Sequence, residues 1–208
     1  MSHGMSKRKI ASLTDRRNDL TRRVILQGAL DMLEHASVDE LTARGAAKQA
    51  NVAERTVFRY FPSREAFLDA VAEEVGARLE MPPPPNSLEE LKNAPRALYR
   101  AFESKTNLTK AALHSEIYHR MRESAAKERW MAVCRIIDTA APGRSQRDRR
   151  IAAANIRYYL TATTWHYYRF YFGFSLAETI LCAETAICDT IESICRNEPD
   201  RSSRTAAR

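Results

Sequence analysis

The segment from Leu41 to Glu65 reads LTARGAAKQANVAERTVFRYFPSRE, and it leaves few ways to fold. Thr42 suits an N-cap, because its hydroxyl can accept from an open amide of the first helical turn. It begins a short helix through about Ala50. Asn51 follows, a residue that enters the left-handed conformation of a tight turn at small cost. A second short helix runs from about Glu54 to Tyr60. Pro62-Ser63 ends it, and Ser63 caps a further helix from Arg64 to about Leu79. Upstream, Leu20 to His35 carries Ile25, Leu26, Ala29, Met32 and Leu33 as one apolar stripe at helical spacing. Ala46, Ala47 and Ala50 keep the first short helix thin, so that the second crosses it closely, with Val52 and Val57 as small apolar contacts between them. A long helix behind two short ones joined by a tight turn is the helix-turn-helix layout.

The charge is uneven around this segment. The chain carries a formal net charge of +7, which suits a polyanionic partner without proving one. Lys7, Arg8, Lys9, Arg16, Arg17, Arg22 and Arg23 crowd the N-terminal part against Asp15 and Asp19. Arg44, Lys48, Arg55, Arg59 and Arg64 follow with Glu54 as the only acid among them, while Asp31, Glu34, Asp39 and Glu40 lie between the two basic groups. A basic stripe on one face fits this pattern, and so does a solvated surface of mixed charge.

No apolar run is long enough to span a bilayer. Met1 to Lys9 is polar and basic, without the apolar core of a signal peptide, so a cytoplasmic protein is expected and no membrane partner. Met1-Ser2-His3-Gly4-Met5 has the form of a cloning scar before a natural start at Met5, and residues 1–19 read as a flexible basic arm. Cys134, Cys182, Cys188 and Cys195 form no C-x-x-C pair, which excludes zinc-ribbon spacing. Cys188 and Cys195 fall on one apolar face, and buried structural thiols are preferred to a redox switch.

The remainder also reads as helix, with little glycine and no alternating β-branched runs. Four consecutive prolines, Pro82 to Pro85, demand a stiff extended break. Helices are expected near Pro95–Ser104, Leu108–Met121, Ala125–Ala140, Gln146–Phe172 and Ser175–Arg196, separated by Pro142-Gly143 and Gly173, with a polar disordered tail over 197–208. The fold class is all-α with about nine helices. A helix-turn-helix domain over 20–66 is followed by a helical-bundle domain over 67–196.

Thr42, Arg44, Ala46 and Ala47, then Thr56, Val57, Phe58, Arg59, Tyr60, Phe61, Pro62, Ser63, Arg64 and Glu65, follow the headpiece pattern of one family in order and spacing. The chain resembles the TetR family of regulators over about Thr21 to Val75. Beyond that the likeness is limited to helix count, length and the Phe172-Gly173-Phe174-Ser175 break. The resemblance implies a repressor that binds a palindromic operator in double-stranded DNA as a homodimer and leaves it when a small-molecule effector binds. Carried over by position, Thr56, Arg59 and Tyr60 contact phosphate or sugar, and Arg55 reaches a base edge, an arginine on guanine being the commonest specific contact. Arg64, Thr42 and Arg44 add backbone contacts. Glu54 either accepts from a cytosine amine or merely favours the helix N-terminus, the second being preferred. The basic N-terminus either enters a neighbouring groove or is a plain tail. Three positions depart from the pattern: Asn51 for the usual turn glycine, Ala53 for a capping serine (a loss of roughly 1 kcal/mol), and Phe58 for a common tyrosine, which removes one hydroxyl.

Candidate effector contacts in the body are Phe102, His114, Tyr118, Met121, Trp130, Asn155, Tyr159, Thr163 and His166. They come from helices expected around its centre and from an aromatic-rich stretch, Tyr158 to Phe172, for which ordinary core packing is the competing account. The resemblance places dimerisation in the last two helices, where Ile180, Ile187, Ile191 and Ile194 make an apolar stripe that a monomer's own core would use equally well. An enzyme is the alternative class. The chain lacks G-x-G-x-x-G, P-loop, G-x-S-x-G and H-E-x-x-H motifs. Glu116-Ile117-Tyr118-His119 matches the E-x-x-H spacing of di-iron bundles without the second copy such a site needs. No metal or cofactor is expected. A helical small-molecule binder that no longer reads DNA is the other alternative, and Arg55, Arg59 and Arg64 speak against it.

Overall fold

The computed structural model describes residues 13–35 and 41–196, and among these every regular element is helical. The basic cluster Lys7 to Lys9, the residues read as a cloning scar, Asp39, Glu40 and the tail 197–208 lie outside the described residues. Ten α-helices and one π-helical turn are present among the described residues, against the nine helices expected. The chain divides into two compact units between Val75 and Gly76.

The first unit contains α1 (Leu13–His35), α2 (Ala43–Gln49), α3 (Glu54–Tyr60) and most of α4 (Arg64–Leu79). Helix α1 starts at Leu13, so residues 13–19, read from the sequence as part of a flexible arm, are helical. Thr21 Oγ1 donates to the Arg17 carbonyl at 2.9 Å within this added helical stretch. Ile25, Leu26, Ala29, Leu30 and Leu33 are buried along α1. This unit also reaches past residue 66: Phe67, Leu68, Val71 and Val75 are buried, and Phe67 meets the Phe61 ring edge-on at 5.6 Å.

The second unit contains α5 (Leu88–Ser104), α6 (Thr106–Leu113), α7 (Ile117–Ala140), α8 (Gln146–Tyr159), α9 (Ala162–His166), the π-helical turn Tyr167–Tyr171 and α10 (Leu176–Cys195). Three boundaries differ from those expected, each for a local reason. Helix α5 begins seven residues before Pro95, because Ser87 accepts from the Glu90 amide at 3.1 Å while Glu90 Oε2 accepts from the Asn86 amide at 3.0 Å. These two bonds, to the N-cap and to the residue before it, fix the helix start, and the helix then tolerates a buried Pro95 in its interior. The break after α6 falls at His114–Glu116, where Ser115 Oγ bonds back to the Ala112 carbonyl at 3.0 Å. Helix α7 then runs unbroken past Met121. The long aromatic helix is interrupted at Leu160-Thr161, since Thr161 caps α9 by accepting from the Thr164 amide at 3.2 Å. Gly173 closes the π-helical turn at φ +71°, and Ser175 with Glu178 forms a capping box that starts α10.

Helix α10 packs against α5 and α8. Ile180, Ile187, Ile191 and Ile194 are buried in the body's own core with Leu91, Tyr99, Ile137, Ile156 and Trp165. The stripe read from the sequence as suited to a dimer interface is therefore used within the protomer. None of the thiols is fully buried: Cys134, Cys182 and Cys188 are half-buried and Cys195 is exposed. This corrects the expectation of buried thiols. Burial nevertheless pushes the Cys134 and Cys188 thiols up, away from the reactive thiolate.

Candidate functional site

The first unit builds a two-helix motif on a close crossing. A Cβ added at Gly28 of α1 would lie 2.8 Å from the Ala46 carbonyl oxygen and 2.9 Å from the Ala50 nitrogen, both on the backbone. The small residues Ala46 and Ala50 thus serve the approach of α2 to α1. Thr42 is the N-cap of α2, its Oγ1 accepting from the Gly45 amide at 3.0 Å. Asn51 holds φ +51° in the turn, as its side chain type allows. The amide of Val52 donates to the Ala47 carbonyl at 3.0 Å, and Val57 is fully buried. Ala53 stands at the N-cap of α3 without a side-chain hydrogen bond. At the far end, the Ala66 amide donates to Ser63 Oγ at 3.1 Å.

With Val57 turned inward, α3 presents Arg55, Phe58 and Arg59 outward, and Arg44 of α2 and Arg64 of α4 are exposed as well. Thr42, Thr56 and Tyr60 are half-buried. Tyr60 donates to Asn18 Oδ1 on α1 at 3.0 Å, and the Arg59 guanidinium lies 5.2 Å from its ring centroid. A phosphate contact through the Tyr60 hydroxyl proton thus requires leaving Asn18. Arg22 lies over Phe61 at 5.3 Å. Neither Asn18 nor Arg22 is a candidate on sequence grounds, since only the fold brings α1 beside the end of α3. Glu54 is the exposed acid in the first turn of α3, where a negative charge favours the helix.

Exposed cations on two short helices, joined by a left-handed turn and backed by a buried crossing, define a helix-turn-helix nucleic-acid-binding unit. Residues 25–71 match the family model of bacterial regulatory proteins of the tetR family. The match supports a DNA-binding unit of the type found in regulators of this family in the N-terminal part of the chain. A comparison with curated proteins found no significant match.

In the second unit, a cavity of about 440 Å³ lies among α5, α6, α7 and α8. Of the candidate effector contacts, Phe102, Tyr118, Met121 and Trp130 line it; His114, Asn155, Tyr159, Thr163 and His166 do not. His114 and Asn155 are exposed. His114 meets His166 edge-on at 5.1 Å, and burial, followed by His114 and Lys110, pushes the His166 imidazole down. Thr163 bonds Tyr118 Oη at 2.8 Å. Tyr159 packs against the core and its carbonyl accepts from Tyr99 Oη at 2.5 Å. Arg129 and Arg157 line the cavity although no sequence pattern marks them. A second cavity of about 310 Å³ adjoins it beneath Pro82, Pro83 and Pro85. Glu116 and His119, the E-x-x-H pair, are both exposed, and among the described residues no cluster of His, Cys, Asp or Glu could hold a metal. No helix among them is long and apolar enough to cross a membrane.

Beside the cavity, Glu103 accepts from Arg169 Nη2 at 2.6 Å and from Trp165 Nε1 at 3.0 Å. The Arg169 hydrogen bond, more than that of Trp165, holds the Glu103 carboxyl below its usual range against the opposing effect of burial. A depressed carboxylate stabilises the fold above its unfolded pKa, near 4.3, and loses that contribution as pH falls through the folded value. Glu103→Gln is therefore expected to unfold at lower temperature than the parent at neutral pH, with the gap closing in acid. Thermal midpoints of both chains across pH check this, and a gap independent of pH would remove the ion pair as its cause.

Proposed function

We propose that the chain is a sequence-specific transcriptional repressor, acting in the cytoplasm as a homodimer on a palindromic operator and released when a small molecule occupies the body's cavity. The observation that carries the DNA-reading part is the outward face of α3, with Arg55 and Arg59 exposed on the face opposite the buried Val57. Arg55 reads a base edge in the major groove. Arg59 and Thr56, with Thr42, Arg44 and Arg64 at the flanking helix starts, position the unit on phosphates, and Tyr60 joins them once released from Asn18. The cavity supports an effector because its volume falls within the range of about 300–1,000 Å³ common for small-molecule sites. The dimer is proposed through α8 and α10, which pack on each other and leave Ile151 and Leu181 exposed.

Selection of bound sequences from a random duplex pool, followed by titration of the winner at several salt concentrations, tests this reading. A palindrome whose affinity falls steeply with salt is expected, since each neutralised phosphate releases counterions. Weak binding without enrichment of any sequence would leave a ligand-binding body on a headpiece that no longer reads DNA, with Ala53 and Phe58 as the departures to restore.

The division of roles predicts different outcomes for two arginines. Arg55→Ala should cost about 1–3 kcal/mol on the operator and relax its sequence preference, while Arg64→Ala should weaken operator and random DNA alike and flatten the salt dependence. Equal losses on both DNAs for both variants would refute that division.

A further inference from the structure

Phe58 is 46% exposed on α3, between the exposed Arg55 and Arg59. The other aromatic rings of the headpiece have partners inside it. Phe61 and Phe67 are buried and meet edge-on, and Tyr60 is held by Asn18. Val57, one residue earlier, takes the fully buried position on this turn of α3. The Phe58 ring therefore adds nothing to the core, and its apolar surface stays in water at a cost in free energy.

Its neighbours indicate what covers it. Residues three apart on a helix lie side by side, so Phe58 adjoins Arg55 on the outward face. Two exposed guanidinium groups beside the ring complement a polyanion, which makes duplex DNA the occupant of this face. The ring has neither donor nor acceptor, so it cannot hold a phosphate as the hydroxyls of Thr56 and Tyr60 can. In the major groove the apolar group on offer is the 5-methyl of thymine, and a phenylalanine ring is one of the side chains suited to it. An arginine and an aromatic ring set side by side can then read neighbouring base pairs by different chemistry, hydrogen bonds to guanine and apolar contact with thymine.

We propose that Phe58 is a specificity-determining residue, its ring covering the 5-methyl group of a thymine within about two base pairs of the guanine read by Arg55. This role rests on α3 being the recognition helix. The distance limit follows from two spacings: side chains three apart on a helix are about 5–6 Å apart at Cβ, and base pairs rise by about 3.4 Å.

The test deletes the methyl and leaves the pairing edges alone. In the duplex recovered by selection, each thymine is replaced in turn by uracil, and the full chain is titrated by fluorescence anisotropy. At one position, uracil should weaken binding of the parent about fourfold, the value of one buried carbon group. Phe58→Ala should bind the thymine duplex more weakly than the parent does and should bind the uracil duplex just as well as the thymine one. Phe58→Tyr keeps the ring and should keep the preference, and Arg55→Ala should keep it too. The salt dependence of Phe58→Ala should match that of the parent, since no charge is lost, which also shows that the variant still docks.

A methyl preference that survives Phe58→Ala overturns the proposal, as does a parent indifferent to every thymine methyl. A loss in Phe58→Ala of equal size on all the duplexes would put the ring on sugar or behind Arg55; it overturns the methyl contact and leaves α3 as the reading helix. Enrichment of no sequence by the parent overturns both, and it is seen before any methyl is removed.

Discussion

Trp165→Ala is expected to destabilise the body by about 3–5 kcal/mol, the usual cost of removing a large buried aromatic. Trp165 is 0% exposed. Its ring lies 5.7 Å from Phe102 and 5.4 Å edge-on from Phe170, so the space it leaves is bounded by other rings that cannot all shift to fill it. The substitution also removes the Nε1 donor from Glu103, whose ion pair with Arg169 anchors the π-helical turn: Arg169 Nη1 reaches on to the Phe174 carbonyl at 2.6 Å. Trp165→Phe separates the two contributions, because it keeps most of the ring volume and loses only the donor, for which about 1–3 kcal/mol is expected. Denaturant unfolding followed by circular dichroism measures both. A loss below about 1 kcal/mol for the alanine variant would mean that the body relaxes around the gap, contrary to a close-packed core.

Local chemistry in the headpiece was legible from sequence, and tertiary geometry was not. Thr42, Asn51 and Ser63 act within one turn of themselves, so their side-chain types announce their roles. Ala53 likewise shows in the sequence as a missing cap and in the structure as an N-cap without a side-chain bond. Ser87 and Glu90 were equally readable as a cap, but Pro95 drew the predicted helix start to itself, although a helix already secured at its N-terminus can carry a proline within it. The break at Thr161 was hidden because aromatic residues continue on both sides of it, and periodicity follows apolar residues rather than hydrogen bonds. The α10 stripe was rightly read as apolar, and pattern alone could not say whether a protomer's own core or a partner covers such a stripe. In the cavity, aromatic type guided the choice of Phe102 and Trp130, while Arg129 and Arg157 escaped notice because a helical arginine usually faces water. Which cations turn inward is decided by packing between helices far apart in sequence.

Gly28→Val is expected to have the largest effect on DNA binding of any single change outside the recognition helix. A Cβ at this position meets the Ala46 carbonyl oxygen at 2.8 Å and the Ala50 nitrogen at 2.9 Å, and neither backbone atom can move without moving α2. Overpacking of this kind costs typically about 1–3 kcal/mol, and a β-branched chain against backbone belongs at the upper end. The gain in helix propensity on replacing glycine, roughly 0.5–1 kcal/mol, is too small to reverse the sign. Because α2 carries Thr42 and Arg44 at its start and packs on α3, parting α1 from α2 displaces the reading helix from its support. Gly45→Ala is the matched control. Its added Cβ meets the thioether end of Met32, a flexible side chain that can swing aside, and lies 3.1 Å from Thr42 Oγ1, a contact that needs a shift of only a few tenths of an ångström. Operator affinity by fluorescence anisotropy should therefore collapse for Gly28→Val and stay near that of the parent for Gly45→Ala, with calorimetric binding of a body ligand unchanged in both. Parent-like operator affinity in Gly28→Val would show that the α1–α2 crossing can open without disturbing α3, and would detach DNA reading from the close approach that this glycine permits.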